Sequence, residues 1–487
     1  MRWVRIGILA VWAASVGALI WPQPDPAARP AKNATGPVDH AHGEREDWSG
    51  IYMGGDKIGY AHSRITPHAD GYRLHETSLM RVTVLDRVQT VRASMDADTA
   101  PDWSVRSFSF SLASEGGPFQ VHGGVRDGEL HLRIESAGAR TEQRIPLHGP
   151  IFLPRAGRER LAAGALRSGA SVSLSVFDPS ALAPHQMTVT VLGRDRVGDG
   201  RSAIDAWKIR QSFRGLESEI FLDDGGRTLR EEGAMGMLMV RESAADAIAA
   251  GWRRTPFDLM AAIAIRPTGP IAAPRRSAQL RVRLRGADPL AFPLDARQQR
   301  HGDIVDVRVE RLSEVEYSLP YSGAEWRADL APTAFLQSED GDIRAAARQA
   351  LGPANGARAA AERLREYVFR TLEKRPVATI PNAVQVLKMR AGDCNEHAVL
   401  FAALARAVGL PARVVAGIVF VDGTFLYHAW NEVWLGDAWV SVDPTFDQMP
   451  ADATHIKLLE GGPEAHAALL PVIGQLAIEV VTTDDTG

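Results

Sequence analysis

The chain is poor in the residues that build disulfides, metal clusters and nucleic-acid-binding surfaces. Its 487 residues include one cysteine, Cys394, and only six lysines. One cysteine excludes an intramolecular disulfide and a cysteine-rich zinc or iron–sulfur site. Most of the positively charged residues are arginines, and they are scattered along the chain. The net charge is −4, so no nucleic-acid partner is expected. Cys394 is therefore either an inert core thiol or a reactive one.

Long apolar runs are also scarce, and one at the N-terminus stands out. Ile6–Trp21 follows Arg2 and Arg5 and is about 24 Å long as a helix. A basic segment followed by an apolar run is typical of a signal anchor or an export signal. We expect residues 1–21 to hold the chain at the cell membrane, with a proline-rich linker over residues 22–47 and the bulk on the extracytoplasmic side. If the segment is cleaved, the protein is periplasmic or secreted.

The composition otherwise predicts a globular protein of several domains. Hydrophobic residues make up 45% and charged residues 23%, which excludes a mainly disordered or fibrous chain. Alternation with period two recurs at Val105–Leu112, Leu130–Ile134 and Val172–Val176, the pattern of antiparallel strands with one buried face. We predict an antiparallel β module over residues 48–255, similar to the curved half-barrels of periplasmic lipoprotein carriers. A β-rich connecting unit is expected over residues 256–331, either as a smaller β unit or as the start of the next domain.

The pattern becomes helical after about residue 342, and the only cysteine lies in this part of the chain. Ala361, Leu364, Val368 and Leu372 recur at helical spacing. Asn382 is predicted to cap the next short helix. A further apolar helix opens at Cys394, where unpaired N–H groups and the helix dipole favour an anion. We therefore expect a reactive thiol with a lowered pKa.

Three strands predicted after this helix supply partners for the thiol. If Gly436-Asp437 is a two-residue loop, position 445 faces His428 and Asp443 lies diagonally across from it on the same face. A carboxylate there can fix the tautomer of the imidazole and leave its second nitrogen for the cysteine. The spacing thus predicts a nucleophile, a general base and an orienting acid.

Four segments of this region resemble the transglutaminase-like superfamily of papain-like folds. They are GDCNEH at Gly392–His397, AALARAVGLPAR at Ala402–Arg413, YHAWNEVW at Tyr427–Trp434 and WVSVDPT at Trp439–Thr445. The resemblance covers about residues 332–460. Asn431 departs from the apolar residue expected between the Trp and the Glu, and no effect on the chemistry is predicted.

The resemblance implies that Cys394 is the nucleophile, His428 the general base and Asp443 the orienting acid. The fold class expected for the whole chain is α+β, with the transglutaminase-like catalytic domain at residues 332–487. We expect a cysteine enzyme that cleaves peptide or isopeptide amides through a thioester, by hydrolysis or by acyl transfer to small amines. It needs no metal or organic cofactor, and its expected substrates are peptides or proteins of the cell envelope.

Several alternatives compete with this assignment. A non-catalytic protein could keep the fold to bind peptides or organise a complex, and the β module could handle lipids or lipoproteins. His397 could face Cys394 from the same helix but has no orienting carboxylate in view. Asp393 and Glu396 are interpreted as capping and surface groups, or as partners that brace the site, and His455 is interpreted as structural. The oxyanion is expected to bind the backbone N–H of Cys394 and a second donor that the sequence does not identify. Short loops predict an open site in which water reaches the thioester, unless the β module supplies a lid.

Overall fold

The structure is a computed structural model of the chain. It describes residues 43–485, apart from 85–86, 115–116, 137–138, 165, 180, 199–202, 234–235, 250–256, 259–261, 288–292, 313, 376 and 378–379. The described residues form two compact units, here called the sheet unit (43–258) and the mixed unit (262–485). The predicted membrane segment and most of the linker lie outside the described residues. Among the helices that are described, none is both long and apolar enough to cross a membrane.

One antiparallel sheet makes up most of the sheet unit. Its 14 strands, as far as the chain is described, run in the order β8 to β1 and then β14 to β9. Phe108, Phe110 and Leu112 of the predicted strand at 105–112 are buried on one face, as the alternation predicts. The strands are β1 (Arg45–Met53), β2 (Asp56–His68), β3 (Gly71–Val84), β4 (Arg87–Thr99), β5 (Val105–Ser114), β6 (Gly117–Arg126), β7 (Glu129–Ser136), β8 (Ala139–Pro146), β9 (Ser171–Asp178), β10 (Ala183–Val197), β11 (Ile204–Phe213), β12 (Leu216–Leu222), β13 (Thr228–Glu232) and β14 (Met237–Glu242).

Within the described residues, two helices accompany this sheet, α1 (Arg155–Ala163) and α2 (Ala244–Ile248). Arg155 of α1 binds Glu76 at 2.8 Å, and Arg158 binds Glu231 at 2.9 Å. Each arginine thus reaches a carboxylate on a strand. Because the charges are paired, α1 can lie against the sheet without leaving a buried ion alone.

The mixed unit combines two four-stranded sheets, a short parallel pair and four helices within its described residues. β20 pairs with β21 on one side and β23 on the other, while β22 extends the sheet beyond β21. Its elements are β15 (Ser277–Arg285), β16 (Gln298–His301), β17 (Ile304–Arg308), α3 (Gly341–Leu351), α4 (Ala357–Thr371), β18 (Glu373–Lys374), α5 (Ala383–Met389), β19 (Ala391–Gly392), α6 (Cys394–Ala407), β20 (Ala412–Val421), β21 (Thr424–Trp434), β22 (Trp439–Val442), β23 (Ile456–Glu460) and β24 (Ala477–Asp485), with 3-10 turns at Pro274–Arg276 and His466–Val472.

Helix α6 forms the centre of this unit. Every residue from Cys394 to Ala405 is buried, because the helix packs on β20 and β21 and is covered by α3, α4 and α5. A helix that is apolar all round belongs in a core. The predicted helical positions Ala361, Leu364 and Val368 are buried on α4. The N-cap prediction is confirmed, since Asn382 Oδ1 accepts the N–H of Gln385 at 3.0 Å.

The predicted α+β organisation, a large antiparallel module before a mixed region, agrees with the structure. Within the segment predicted as a connecting unit, residues 256–331, the described residues from 262 onward lie in the same compact unit as the C-terminal region. β15 pairs with β24 near the C-terminus, and Ser277 lies opposite Asp485. Most of this segment therefore belongs to the mixed unit. The structure also begins β1 at Arg45, inside the range predicted for the linker.

Candidate active site

A capping box places Cys394 in the first turn of α6. Asp393 is the N-cap, and its Oδ1 accepts the N–H of Asn395 at 2.9 Å. Glu396 folds back so that its Oε2 accepts the N–H of Asp393 at 2.8 Å. A Cβ on Gly392 would collide with the Glu396 side chain, so only glycine fits before the cap. Asp393 and Glu396 are capping groups as predicted, but both are buried rather than on the surface.

The Cys394 thiol is fully buried, and its sulfur accepts a hydrogen bond from the backbone N–H of Ala429 on β21. The nucleophile predicted from the sequence thus lies beside the residue directly after His428. Burial raises the pKa of Cys394 well above its ordinary value, and the Asp393 carboxylate raises it further. The expectation of a lowered pKa is therefore wrong for this state, because desolvation outweighs the N–H groups of the helix start.

The strand register brings His428 and Asp443 together as predicted. Trp434 lies opposite Trp439 and Asn431 opposite Val442 in the β21–β22 pair. Asp443 comes directly after β22, so its carboxylate is diagonal to His428. His428 Nε2–H donates to Asp443 Oδ2 at 2.8 Å. Burial lowers the pKa of His428 against the opposing effect of Asp443, so the imidazole is neutral and Nδ1 is left for the thiol.

The Asp443 carboxylate is saturated with donors. Its Oδ1 accepts the backbone N–H groups of Thr445 at 2.7 Å and Phe446 at 3.2 Å. Its Oδ2 accepts His455 Nε2 at 3.0 Å in addition to His428. Burial opposes ionisation, but these bonds and the neighbouring imidazoles hold the pKa of Asp443 well below its usual range. The Asp443 carboxylate is therefore fixed and ionised.

Aromatic contacts hold the plane of the His428 ring. The Phe446 ring stacks on it with centroids 4.8 Å apart and planes 9° apart. Trp430 lies on a nearly parallel plane at 6.1 Å. The Arg275 guanidinium lies over Phe446 at 4.5 Å from the ring centroid. The His428 imidazole thus cannot rotate freely, which preserves its alignment with Asp443.

His397 is a weak base in this structure. Its Nδ1–H donates to the Asp393 carbonyl at 2.7 Å, and burial lowers the pKa of His397 to about 4. Asn431, the residue that departs from the family pattern, donates to the Ala398 carbonyl at 2.9 Å and so ties β21 to α6.

Residues that the sequence did not assign to the site surround Asp443. His455 donates to it, and His455 Nδ1 faces the Asp452 carbonyl at 3.2 Å and Asp452 Oδ1 at 3.3 Å. Arg275 binds Asp452 Oδ2 at 2.7 Å, and Arg297 donates to the Asp452 carbonyl at 2.6 Å. The sequence DATH at Asp452–His455 contains Asp452 and His455, but nothing in its spacing reveals that His455 reaches Asp443.

Two groups in the described part of the mixed unit have ligand atoms close enough for a metal ion. In the first, His428, Asp443 and His455 are already joined by hydrogen bonds of 2.8 and 3.0 Å. The second consists of Asp295, Glu432 and Glu460, and Lys457 Nζ binds all three at 2.5 to 2.9 Å. A lysine ammonium already supplies the positive charge that this acidic group requires.

The site is closed in this structure. Cys394 and Asp443 are 0% exposed and His428 is 3% exposed. The expectation that short loops would leave the thiol open to water is therefore wrong. The covering residues come from β21 itself and from the segment after Asp443, which includes Phe446.

Comparison with known proteins agrees with this arrangement. Residues 343–444 match the transglutaminase-like superfamily. A protein-glutamine gamma-glutamyltransferase of Pseudomonas aeruginosa is 31% identical over 200 residues, which are 34% of this chain and 29% of that protein. The chain thus spans less than a third of the length of this curated relative.

A solved structure of a candidate cysteine protease from Cytophaga hutchinsonii is 17% identical and has a TM-score of 0.29, covering 46% of this chain and 90% of that one. A score this low does not establish a shared fold. The assignment depends instead on the matched residues and on the motifs at Cys394, His428 and Asp443: residues 343–444 are a transglutaminase-like superfamily domain.

Proposed function

We propose that the protein is a cysteine enzyme that acts on amide bonds through a thioester, by hydrolysis or by acyl transfer to small amines. The observation that carries this proposal is the hydrogen bond of 2.8 Å between His428 and Asp443, with the Cys394 sulfur bound to the amide of the adjacent Ala429. A nucleophile, a base and an orienting carboxylate in this order define the reaction class.

In the proposed reaction, His428 Nδ1 removes the thiol proton as the sulfur attacks the carbonyl carbon. Because the pKa of the thiol is raised and that of His428 lowered, the resting pair is neutral and proton transfer accompanies the attack. The capping bonds use the N–H groups of Asp393 and Asn395, so the N–H of Cys394 is the proposed oxyanion donor. The imidazolium then protonates the leaving amine as the C–N bond breaks, and the acyl group remains on Cys394 as a thioester. In the second half, His428 takes a proton from the attacking water or amine, the C–S bond breaks, and the proton returns to the Cys394 sulfur.

The test offers a glutamine-containing peptide together with a fluorescent primary amine and quantifies the free acid and the amide product. Cys394→Ala should abolish both products. Asp443→Asn should lower kcat by roughly 10⁴-fold, as for the buried aspartate of other triads. If the wild-type protein forms no product and no acyl-enzyme but binds the peptide, the alternative of a non-catalytic binding protein replaces this proposal.

A second candidate, transfer to protein-bound amines, is favoured by one observation. The thiol is fully buried, so a thioester formed there is shielded from water until an acceptor enters. The Pseudomonas aeruginosa relative is described as a glutamyltransferase. Efficient incorporation at micromolar amine, with little free acid, would favour this candidate over hydrolysis.

We also propose that the catalytic part lies on the extracytoplasmic side and acts on peptides or proteins of the cell envelope. The support is Arg2 and Arg5 before the apolar run Ile6–Trp21. Protease added to intact spheroplasts should remove a C-terminal epitope tag, whereas a cytoplasmic marker stays intact. Protection of the tag would contradict the proposal.

A further inference from the structure

We propose that His455 is a positioning residue of the candidate site, a second imidazole that shares the Asp443 carboxylate with His428 and is itself held by Asp452. This inference rests on the proposed function, because it assigns His455 a role in that reaction. It adds a fourth and a fifth residue to the triad: the order becomes Cys394, His428, Asp443, His455 and Asp452.

The two imidazoles meet at one oxygen atom. Asp443 Oδ2 accepts His428 Nε2 at 2.8 Å and His455 Nε2 at 3.0 Å, and the rings are inclined at 64°. An ionised carboxylate offers about four acceptor positions. With two backbone N–H groups on Oδ1, the bond from His455 fills the last of them. Removing it would leave the oxygen that orients His428 underbonded in a dry interior.

The surroundings of His455 contain acceptors at both ring nitrogens. Nε2 faces Asp443 Oδ2, while Nδ1 faces the carbonyl and Oδ1 of Asp452. Carbonyl and carboxylate oxygens only accept, so both contacts are satisfied when both nitrogens carry protons. The geometry therefore favours an imidazolium at this position. Burial lowers the pKa of His455, but the Asp452 and Asp443 carboxylates outweigh it and the net shift is upward.

The loop that carries His455 keeps its shape through other bonds. Asp443 and Gln448 exchange backbone hydrogen bonds of 2.9 and 3.0 Å. The N–H of Ala451 binds Ser441 Oγ at 2.9 Å, and Arg297 binds the Ala451 carbonyl at 3.0 Å. Since these bonds fix the backbone between Asp443 and Asp452, the His455 bond to Asp443 acts on the carboxylate rather than on the course of the chain.

A cation at His455 also changes the basicity of His428. The groups that act on His428 are Asp443, which raises its pKa, and His455 and Arg275, which lower it. The Lys374 ammonium of β18 and His397 of α6 also lie within electrostatic reach of Asp443. Removing the charge of His455 therefore raises the pKa of His428, and the acidic limb of the rate profile moves to higher pH.

Two substitutions separate the charge of His455 from its hydrogen bond. In His455→Gln the side-chain amide can still donate to Asp443, but the charge is lost. In His455→Leu both are lost, while an apolar side chain fills the space. The exposed His301 provides the matched control His301→Gln. Turnover is followed with the glutamine peptide and fluorescent amine, and alkylation of Cys394 by iodoacetamide is followed from pH 5 to 10.

We expect both His455 variants to shift the acidic limb upward by the same amount. His455→Leu should also lower kcat by roughly 10- to 100-fold with KM unchanged, the usual cost of removing a bond to a charged group. His455→Gln should keep kcat within about threefold at its own pH optimum, and His301→Gln should match the wild type. Melting temperatures of the variants are recorded alongside.

Wild-type kcat and an unshifted limb in His455→Leu would overturn the inference. Equal losses of kcat in both variants, in proportion to a lowered melting temperature, would overturn it too, because they indicate a structural role. The alkylation profile needs no substrate: if wild-type turnover is absent but the acidic limb of alkylation still moves in the His455 variants, the proposed function fails and the positioning role stands.

Discussion

The Cys394 thiol shows how burial and local geometry oppose one another at a single residue. The start of a helix stabilises a thiolate, and that argument is available from the sequence. What the sequence lacks is the depth of α6, since complete desolvation depends on α3, α4 and α5 packing over it. The site residues could thus be named from motifs and register, whereas the sign of the thiol's pKa shift required the tertiary structure.

We therefore expect native Cys394 to react slowly with iodoacetamide at neutral pH. Its pKa is raised and its sulfur is buried, so the alkylation rate should lie below that of the urea-unfolded chain and keep rising above about pH 8.5, the ordinary cysteine value. Because the chain has one cysteine, intact mass measures the reaction directly. Faster alkylation of the native protein than of the unfolded chain below pH 7 would contradict this prediction.

A buried neutral histidine should make the mixed unit sensitive to acid. Burial lowers the pKa of His466 to about 4, below the ordinary 6.5. The unfolded chain binds a proton at His466 near pH 6.5, whereas the folded state binds it only near pH 4. The folded state is therefore not penalised by this histidine above pH 6.5, and it loses free energy of unfolding as the pH falls from 6.5 towards 4. A shift of this size corresponds to about 3 kcal/mol at full effect.

The variant His466→Leu should unfold in urea with a free energy that falls less between pH 6.5 and 4 than that of the wild type. His301→Gln is again the matched control, because that imidazole is exposed. An equal fall in the free energy of unfolding for His466→Leu and the wild type would show that His466 does not contribute.

Among the secondary-structure elements, the start of α6 is the one whose physical cause can be read most completely from the sequence. Gly392, Asp393 and Glu396 form one capping unit, and the sequence GDCNE contains all of it. The β21–β22 register could also be derived from the sequence, because a two-residue loop between the strands permits only one pairing of their residues. The position of the segment Asp452–His455 could not be derived from the sequence. Its approach to Asp443 depends on Arg275 and Arg297, which precede it by more than 150 residues.

Gly392→Ala should damage the site without touching its reacting atoms. The new Cβ would collide with the Glu396 side chain and displace the bond from the N–H of Asp393. We expect a loss of about 1 kcal/mol or more in the free energy of unfolding, the usual cost of a lost cap, and a lower kcat. Gly423→Ala is a control of the same chemistry at a turn with open space, although its positive φ adds backbone strain. A Gly392→Ala protein with wild-type stability and turnover would refute the capping argument.

At the scale of the whole molecule, the two units should unfold as separate transitions. Each has its own buried core, and a domain with its own core unfolds cooperatively. Phe213→Ala in β11 should lower the free energy of unfolding of the sheet unit by about 3 to 5 kcal/mol and leave the other transition in place. Leu400→Ala in α6 should lower the free energy of unfolding of the mixed unit and leave the transition of the sheet unit in place. Calorimetry measures these transitions. A single transition whose midpoint temperature falls with either substitution would show that the units unfold together.

The pairing of β15 with β24 has a consequence for how the mixed unit can be handled. Ser277 lies opposite Asp485 and Arg285 opposite Ala477, so a strand in the early part of the unit is hydrogen-bonded to its last described strand. Adjacent termini are the condition under which circular permutation and insertion into a host protein are tolerated. The unit could therefore be opened at the Asp422-Gly423 turn and rejoined by a short linker between the end of β24 and the segment that precedes β15. By contrast, a fragment cut to residues 343–444 would lose Arg275, Arg297 and His455, the side chains that surround Asp443 and its loop.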